Sequence, residues 1–166
     1  IDLEENKNRI IKTDNIIGVA YGRIESLDNT GAYSNYDHWS FNWSYQLIDN
    51  FWESTHEKPK GIFYIHHGMA EHTDRYGHIA EYLNRSGYHV VGHDHLGHGK
   101  NKENGQGIFA VNNGWNKVTD EAIAVTNNFY QYYPNIPSYL YGHSMGGFIS
   151  LSSMKSIKNL KGVILT

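Results

Sequence analysis

A serine at position 144 lies between two glycines, in Gly142-His143-Ser144-Met145-Gly146. A serine hydroxyl is a weak nucleophile until a turn holds it out and a base takes its proton. Gly-x-Ser-x-Gly makes such a turn where a buried strand runs into it and a helix leaves it. Glycine at 142 and 146 keeps side chains from colliding with the neighbouring strand and helix, and Gly147 relaxes the packing further. The helix start directs free N–H groups and a positive dipole end at the reacting centre, so the N–H of Met145 is a candidate oxyanion donor. The simpler alternative is a Gly-Ser turn whose serine only caps a helix.

A second group is His66-His67-Gly68-Met69-Ala70-Glu71-His72. Gly68 lets backbone approach a ligand closely, which makes the N–H of Met69 the candidate for a second oxyanion donor. The alternative is a Gly turn flanked by structural histidines.

A third group is His89, His93, Asp94, His95 and His98. Neutral imidazoles and a carboxylate suit zinc, so a metal-dependent hydrolase is the rival enzyme reading. The spacing speaks against it. On an extended segment His93 and His95 point the same way, but the third ligand would have to come from His98 across a Gly turn. His67 and Glu71-His72 miss the His-x-x-Glu-His pattern by one residue. Satisfied turn or core histidines are the expectation.

These groups need elements to position them. Gly61–Ile65 and Tyr88–Gly92 are short apolar runs, the pattern of parallel strands buried on both faces. Ser138–Tyr141 and Leu160–Leu165 read as two more. Helical spacing runs over His72–Arg85 and ends at Gly87, over Val118–Phe129 before Pro134, and over Met145–Ser156. Residues 97–114 are Gly- and Asn-rich and read as a long loop. The alternation from Gly61 onward predicts an α/β fold, a doubly wound, mostly parallel sheet with helices on both faces. The His66–His72 loop then lies at the carboxyl edge, the same edge as Ser144, where such sheets bind ligands. Upstream, Ile16–Ile24 and Tyr45–Phe51 read as strands, with a turn at Asp28–Gly31.

The order His67-Gly68-Met69-Ala70-Glu71-His72, Arg75-Tyr76, Asp94-His95-Leu96-Gly97-His98-Gly99 and Gly142-His143-Ser144-Met145-Gly146-Gly147 resembles the monoacylglycerol lipase and lysophospholipase group of α/β-hydrolases, also described as serine-aminopeptidase-like. The likeness covers about His66 to the end and is weak before Tyr45. It implies that Ser144 is the nucleophile and that the N–H groups of Met69 and Met145 form the oxyanion hole. It makes His67, Gly68, Gly142, His143, Gly146 and Asp94 supporting motif residues, with Asp94, His95, Gly97 and His98 forming a structural turn beside the site. Lys100-Asn101 departs from the small residues common after that turn. Monoacylglycerols, lysophospholipids or other carboxylic esters are the substrates it implies, with no organic cofactor and no metal required. Phe109 and Trp115 are candidate lipid contacts, with core packing the expected role for both.

In that family the acid and the histidine follow the serine. Only 22 residues follow Ser144 here, and they hold no Asp, Glu or His. The expectation is an N-terminal portion of the hydrolase core, its lid, last strands and triad partners lying in a further C-terminal part. Residues 1–40 are then an N-terminal extension or first-strand region, and residues 41–166 belong to the hydrolase domain. A catalytically inactive, hydrolase-like interaction module is the non-enzyme alternative, and an upstream base such as His67 or His95 has no support in the family.

Composition narrows the rest. Charged residues at 19% and a net charge of −3, without a basic run, give no footprint for nucleic-acid binding. The chain has no cysteine, which removes disulfides and thiolate chemistry and fits a reducing compartment. No apolar run approaches the roughly 18 residues of a membrane span, and the first residues do not read as a signal peptide. The 14% aromatic share could present an aromatic surface to an apolar ligand, and a cytoplasmic protein, compatible with peripheral membrane association, is the expectation.

Overall fold

The computed structural model describes residues 48–166. The strand read at Ile16–Ile24, the turn at Asp28–Gly31 and the boundary at residue 40 lie outside the described residues.

Five strands form one sheet. They are β1 (Asn50–Trp52), β2 (Gly61–His66), β3 (Tyr88–Gly92), β4 (Ser138–Gly142) and β5 (Leu160–Leu165), in spatial order β1-β3-β2-β4-β5. β3, β2, β4 and β5 run parallel, and β1 is antiparallel against β3. Three α-helices connect the parallel strands: α1 (Gly77–Arg85), α2 (Gly114–Tyr130) and α3 (Met145–Ser153).

The alternation of a strand explains how both faces are covered. Ile62 and Tyr64 of β2, with Val91 and Leu140, pack against Phe129 of α2. Phe63, Ile65 and Val90 point the other way, onto Tyr76 and Ala80 beside and within α1. α2 carries Val118, Ala122, Val125 and Phe129 on one buried stripe, and its first turns meet Met145 and Ile149 of α3. A strand with helices on both sides needs apolar residues at every position, and every residue of β2 is buried.

Several boundaries differ from the sequence reading, and the helix read from Val118 begins at Gly114. The helix read over His72–Arg85 begins as a 3-10 turn, Thr73–Tyr76, because the Asp94 carboxylate takes the N–H of Thr73 at 2.8 Å and fixes the entry there. The helix read to Ser156 tightens into a 3-10 turn at Met154–Ser156. The strand read over Tyr45–Phe51 is β1, shifted to Asn50–Trp52 by its register with Gly92, Val91 and Val90, while Tyr45–Leu47 lie outside the described residues.

The topology selects one place for a site. From β2 the chain moves to β3 on one side. It then crosses to β4 on the other side and continues to β5. The connections leaving β2 and β4 thus diverge, and the crevice between their carboxyl ends is where doubly wound sheets receive ligands. The His66–His72 loop leaves β2 there, and Gly142–Gly146 leaves β4.

Candidate active site

The β4–α3 turn is very tight. Ser144 has φ 50 and ψ −117, a conformation that costs an L-residue roughly 1–3 kcal/mol and persists only where surrounding contacts enforce it. Those contacts are backbone hydrogen bonds. Gly146 N–H donates to His143 O (2.8 Å), Gly147 N–H to Ser144 O (2.9 Å), and Ser144 N–H to Thr166 O (2.9 Å). Ser144 is exposed, and its side chain makes no capping bond to the helix, so the helix-cap alternative does not describe it. The flanking glycines are required sterically. A Cβ on Gly142 would lie 2.5 Å from Ser150 Oγ and 2.6 Å from Gly146 O, and one on Gly146 would lie 1.9 Å from His66 O.

That last contact joins the two loops. β2 ends where α3 begins, and His143 N–H donates to His66 O at 3.1 Å. A Cβ on Gly68 would meet His143 Cδ2 at 3.0 Å, so the Gly68–Ala70 segment lies against the serine turn. Ala70 takes a left-handed φ of 59, and Met69 is exposed beside it. Met145 opens α3, where an N–H has no acceptor within the helix.

Glu71 holds the Gly68 loop. Its Oε1 accepts the Gly68 N–H (2.5 Å) and the Tyr76 hydroxyl (2.6 Å). Burial raises the carboxyl, but the bonds from Tyr76 and Gly68 outweigh it and the net shift is downward. A carboxylate depressed in the folded state adds stability above its unfolded pKa and loses it as pH falls through the folded one. Thermal melts of the wild type should therefore drop as pH falls below the ordinary carboxylate range, and Glu71→Gln should lose part of that drop. Parallel curves for the two proteins would remove Glu71 from this role.

Asp94 organises the turn after β3. Buried to 2% exposure, it accepts from Thr73 N–H (2.8 Å), Thr73 Oγ1 (3.1 Å) and Lys100 N–H (2.9 Å). Gly99, at φ 50, has no room for a Cβ, which would fall 1.9 Å from Asp94 Oδ2. Asp94→Ala would leave these donors unsatisfied and should cost about 3 kcal/mol of stability by urea denaturation. A loss within error would mean that the turn holds itself. His67 links this turn to the Gly68 loop. Its Nε2 accepts the His95 N–H (3.0 Å), so Nδ1 carries the proton donated to Gly68 O (2.8 Å). Burial lowers its pKa.

Four further histidines gather behind these loops. His66, His93, His95 and His98 are buried at 0–4% exposure. Burial pushes His66 down to about 3 and His93 and His95 well below the ordinary imidazole range. The sequence reading missed Glu121, one turn into the stripe of α2. Its side chain is 6% exposed and its Oε2 lies 3.9 Å from His93 Nε2. It accepts from Leu96 N–H (3.1 Å) and Asn101 Nδ2 (2.8 Å), yet burial still pushes it up to about 8. An acid on the apolar face of a helix was the available signal. His93, His95 and Glu121 bring their ligand atoms within 4.8 Å of one another, so the third partner sought in His98 comes from α2 instead. Phe109 packs partly buried against the cluster of Val118, Ala122, Met145 and Ile149, while Trp115 is 42% exposed.

Comparison with known proteins decides the family. The model of the family described as serine aminopeptidase, S33, matches residues 57–166, more than half of the chain. The chain belongs to the S33 serine aminopeptidase family. Among its relatives, the monoglyceride lipase of Rattus norvegicus is 32% identical over 120 residues, covering 72% of this chain and 38% of the lipase. A monoglyceride lipase homologue of monkeypox virus is 35% identical over 102 residues, covering 61% of this chain and 36% of that protein. A solved structure of a carboxyl esterase from Bacillus coagulans, in complex with glycerol, superposes with TM-score 0.63 at 29% identity, covering 69% of this chain and 37% of the esterase. The fold is the α/β-hydrolase core, and this chain spans well under half the length of these relatives. Among the described residues no helix is long and apolar enough to cross a membrane.

Proposed function

We propose that this S33-family chain contributes the nucleophile and oxyanion hole of a carboxylic ester hydrolase, acting on monoacylglycerols, lysophospholipids or similar esters. The observation that carries the proposal is Ser144 itself, exposed at φ 50 and ψ −117 and free of any helix-capping bond. A structural serine has no reason to occupy so strained a turn. In the reaction, Ser144 Oγ attacks the ester carbonyl carbon and gives its proton to a base. The N–H groups of Met69 and Met145 receive the charge that develops on the carbonyl oxygen. The C–O bond to the alcohol breaks, the alcohol leaves with that proton, and water then hydrolyses the acyl-serine.

No Asp, Glu or His follows Ser144 within the chain. The acid and histidine are proposed to lie in the portion of the family's length that the chain does not span, and the chain alone is expected to be nearly inactive. The supporting residues would act indirectly: Gly142, His143 and Gly146 shape the turn, His67 and Gly68 the donor loop, and Asp94 the turn behind it. A reducing, cytoplasmic setting with contact at lipid surfaces fits such substrates. The competing reading is a catalytically inactive, hydrolase-like interaction module. A fluorophosphonate probe separates them. Covalent labelling of the S33 domain complete with its base, lost in Ser144→Ala, supports the enzyme, and absence of labelling in that domain supports the module. A metal-dependent hydrolase is not proposed, because His93, His95 and Glu121 are sealed from solvent and cannot meet a substrate.

A further inference from the structure

The histidine chamber is chemically incomplete as a set of side chains. Five of its ring nitrogens are buried without a hydrogen-bond partner among the described residues: His66 Nε2, His93 Nε2, His95 Nδ1, His95 Nε2 and His98 Nε2. Buried polar atoms are nearly always satisfied, so something of matching chemistry belongs there. The rings crowd together. His93 and His95 have centroids 4.6 Å apart, and His66 lies 5.9 Å and 5.5 Å from them.

The convergence follows β3. Val91 of β3 faces α2, and His93 and His95 lie in the irregular segment directly after the strand, which ends at Gly92. α2 turns Glu121 towards them, with His93 Nε2 3.9 Å from Glu121 Oε2. All three ligand atoms fall within 4.8 Å of one another. An ion bound at the usual ~2.0–2.2 Å to nitrogen and oxygen would draw them closer by small side-chain shifts.

We propose that His93, His95 and Glu121 form a buried site for one divalent transition-metal ion of the zinc class, structural in role and separate from the exposed Ser144. The supporting shell is already built. Leu96 N–H and Asn101 Nδ2 fix the Glu121 carboxylate, as outer partners fix ligands in metal sites. His66, held through Nδ1 by Ser150 Oγ at 2.8 Å, lines the chamber with its unpartnered Nε2. Two imidazoles and one carboxylate favour zinc, cobalt or nickel over calcium or magnesium. The site is sealed, so the ion enters as the chain folds. Bridging His93 and His95 behind β3 to Glu121 on α2, it would tie the sheet to the helix that packs on α3.

The test is the metal content of the protein expressed without an affinity tag in zinc-supplemented medium, then dialysed against a weak chelator. Mass spectrometry of the elements should find about one zinc per chain. Expression with cobalt instead should give visible d–d absorption of a low-coordinate site. Glu121→Gln and His93→Gln should each cut retained metal at least about tenfold, while His78→Gln, at an exposed histidine, should leave it unchanged. A wild type with substoichiometric metal overturns the site, whether or not the variants fold. So does metal retained in folded Glu121→Gln and His93→Gln, which would place it on surface histidines. Loss of metal with fluorophosphonate labelling intact leaves the proposed hydrolase standing, so the two readings fail independently.

Discussion

Ser144→Ala is expected to lower kcat/KM for a monoacylglycerol or p-nitrophenyl ester by about 10⁴-fold or more in the domain complete with its base. Folding should be unaffected. The hydroxyl makes no helix-capping bond, so no cap is lost with it. Ser144→Gly sharpens the test. At φ 50 and ψ −117 a glycine relieves strain of roughly 1–3 kcal/mol and gives back about 0.5–1 kcal/mol through its freer unfolded chain. The glycine variant should therefore be as inactive as the alanine variant and at least as stable as wild type. Residual activity near wild type in either variant would exclude Ser144 as nucleophile. A large stability loss in Ser144→Gly would instead mean that the serine side chain holds the turn.

Gly146→Ala is expected to be the most damaging single methyl group near the site. Its Cβ would stand 1.9 Å from His66 O and 2.6 Å from His67 O. Both are backbone atoms, so no rotamer change relieves the clash and the β2 end must move away from α3. His66 O also accepts the His143 N–H, and that movement would break the bond joining the loop carrying Met69 to the serine turn. A destabilisation above about 3 kcal/mol by urea denaturation is expected, with fluorophosphonate reactivity lost even in the fraction that folds. The neighbouring position supplies the control. A Cβ on Gly147 meets nothing closer than Gly142 O at 3.6 Å, and alanine is favoured over glycine in a helix by up to ~1 kcal/mol. Gly147→Ala should be neutral or stabilising. If the two variants behave alike, close approach of α3 to β2 is not what fixes Gly146.

The expected effects have a common origin in how closely the carboxyl ends of β2 and β4 approach. Gly142 pairs with His66 in the sheet register. The serine turn and the Gly68 loop are therefore neighbours through backbone, before any side chain is placed. Such a site is preorganised by the sheet, which is where electrostatic stabilisation of a developing oxyanion gains most. The same approach makes it intolerant of volume.

Much of this was written in local sequence. The apolar run Gly61–Ile65 is a strand because helices on both faces leave no side exposed to water. The stripe Val118, Ala122, Val125 and Phe129 is a helix because its apolar residues recur with the helical period. Gly142-x-Ser144-x-Gly146 stands out because few residue types tolerate a turn so tight. These signals need only neighbours along the chain, so strands, helices and the candidate nucleophile were legible from residue order alone. The tertiary structure decided what depended on chain segments meeting. It set the strand order β1-β3-β2-β4-β5 and bound Glu71 to the Gly68 N–H. It paired His66 with Ser150, 84 residues away. It also brought Glu121 of α2 beneath His93 and His95 in place of His98. No periodicity encodes which side chain of one helix reaches which loop of a distant strand. That is fixed only when helix and sheet pack at one angle and depth, and the buried polar groups that result must find partners among whatever the packing brings near.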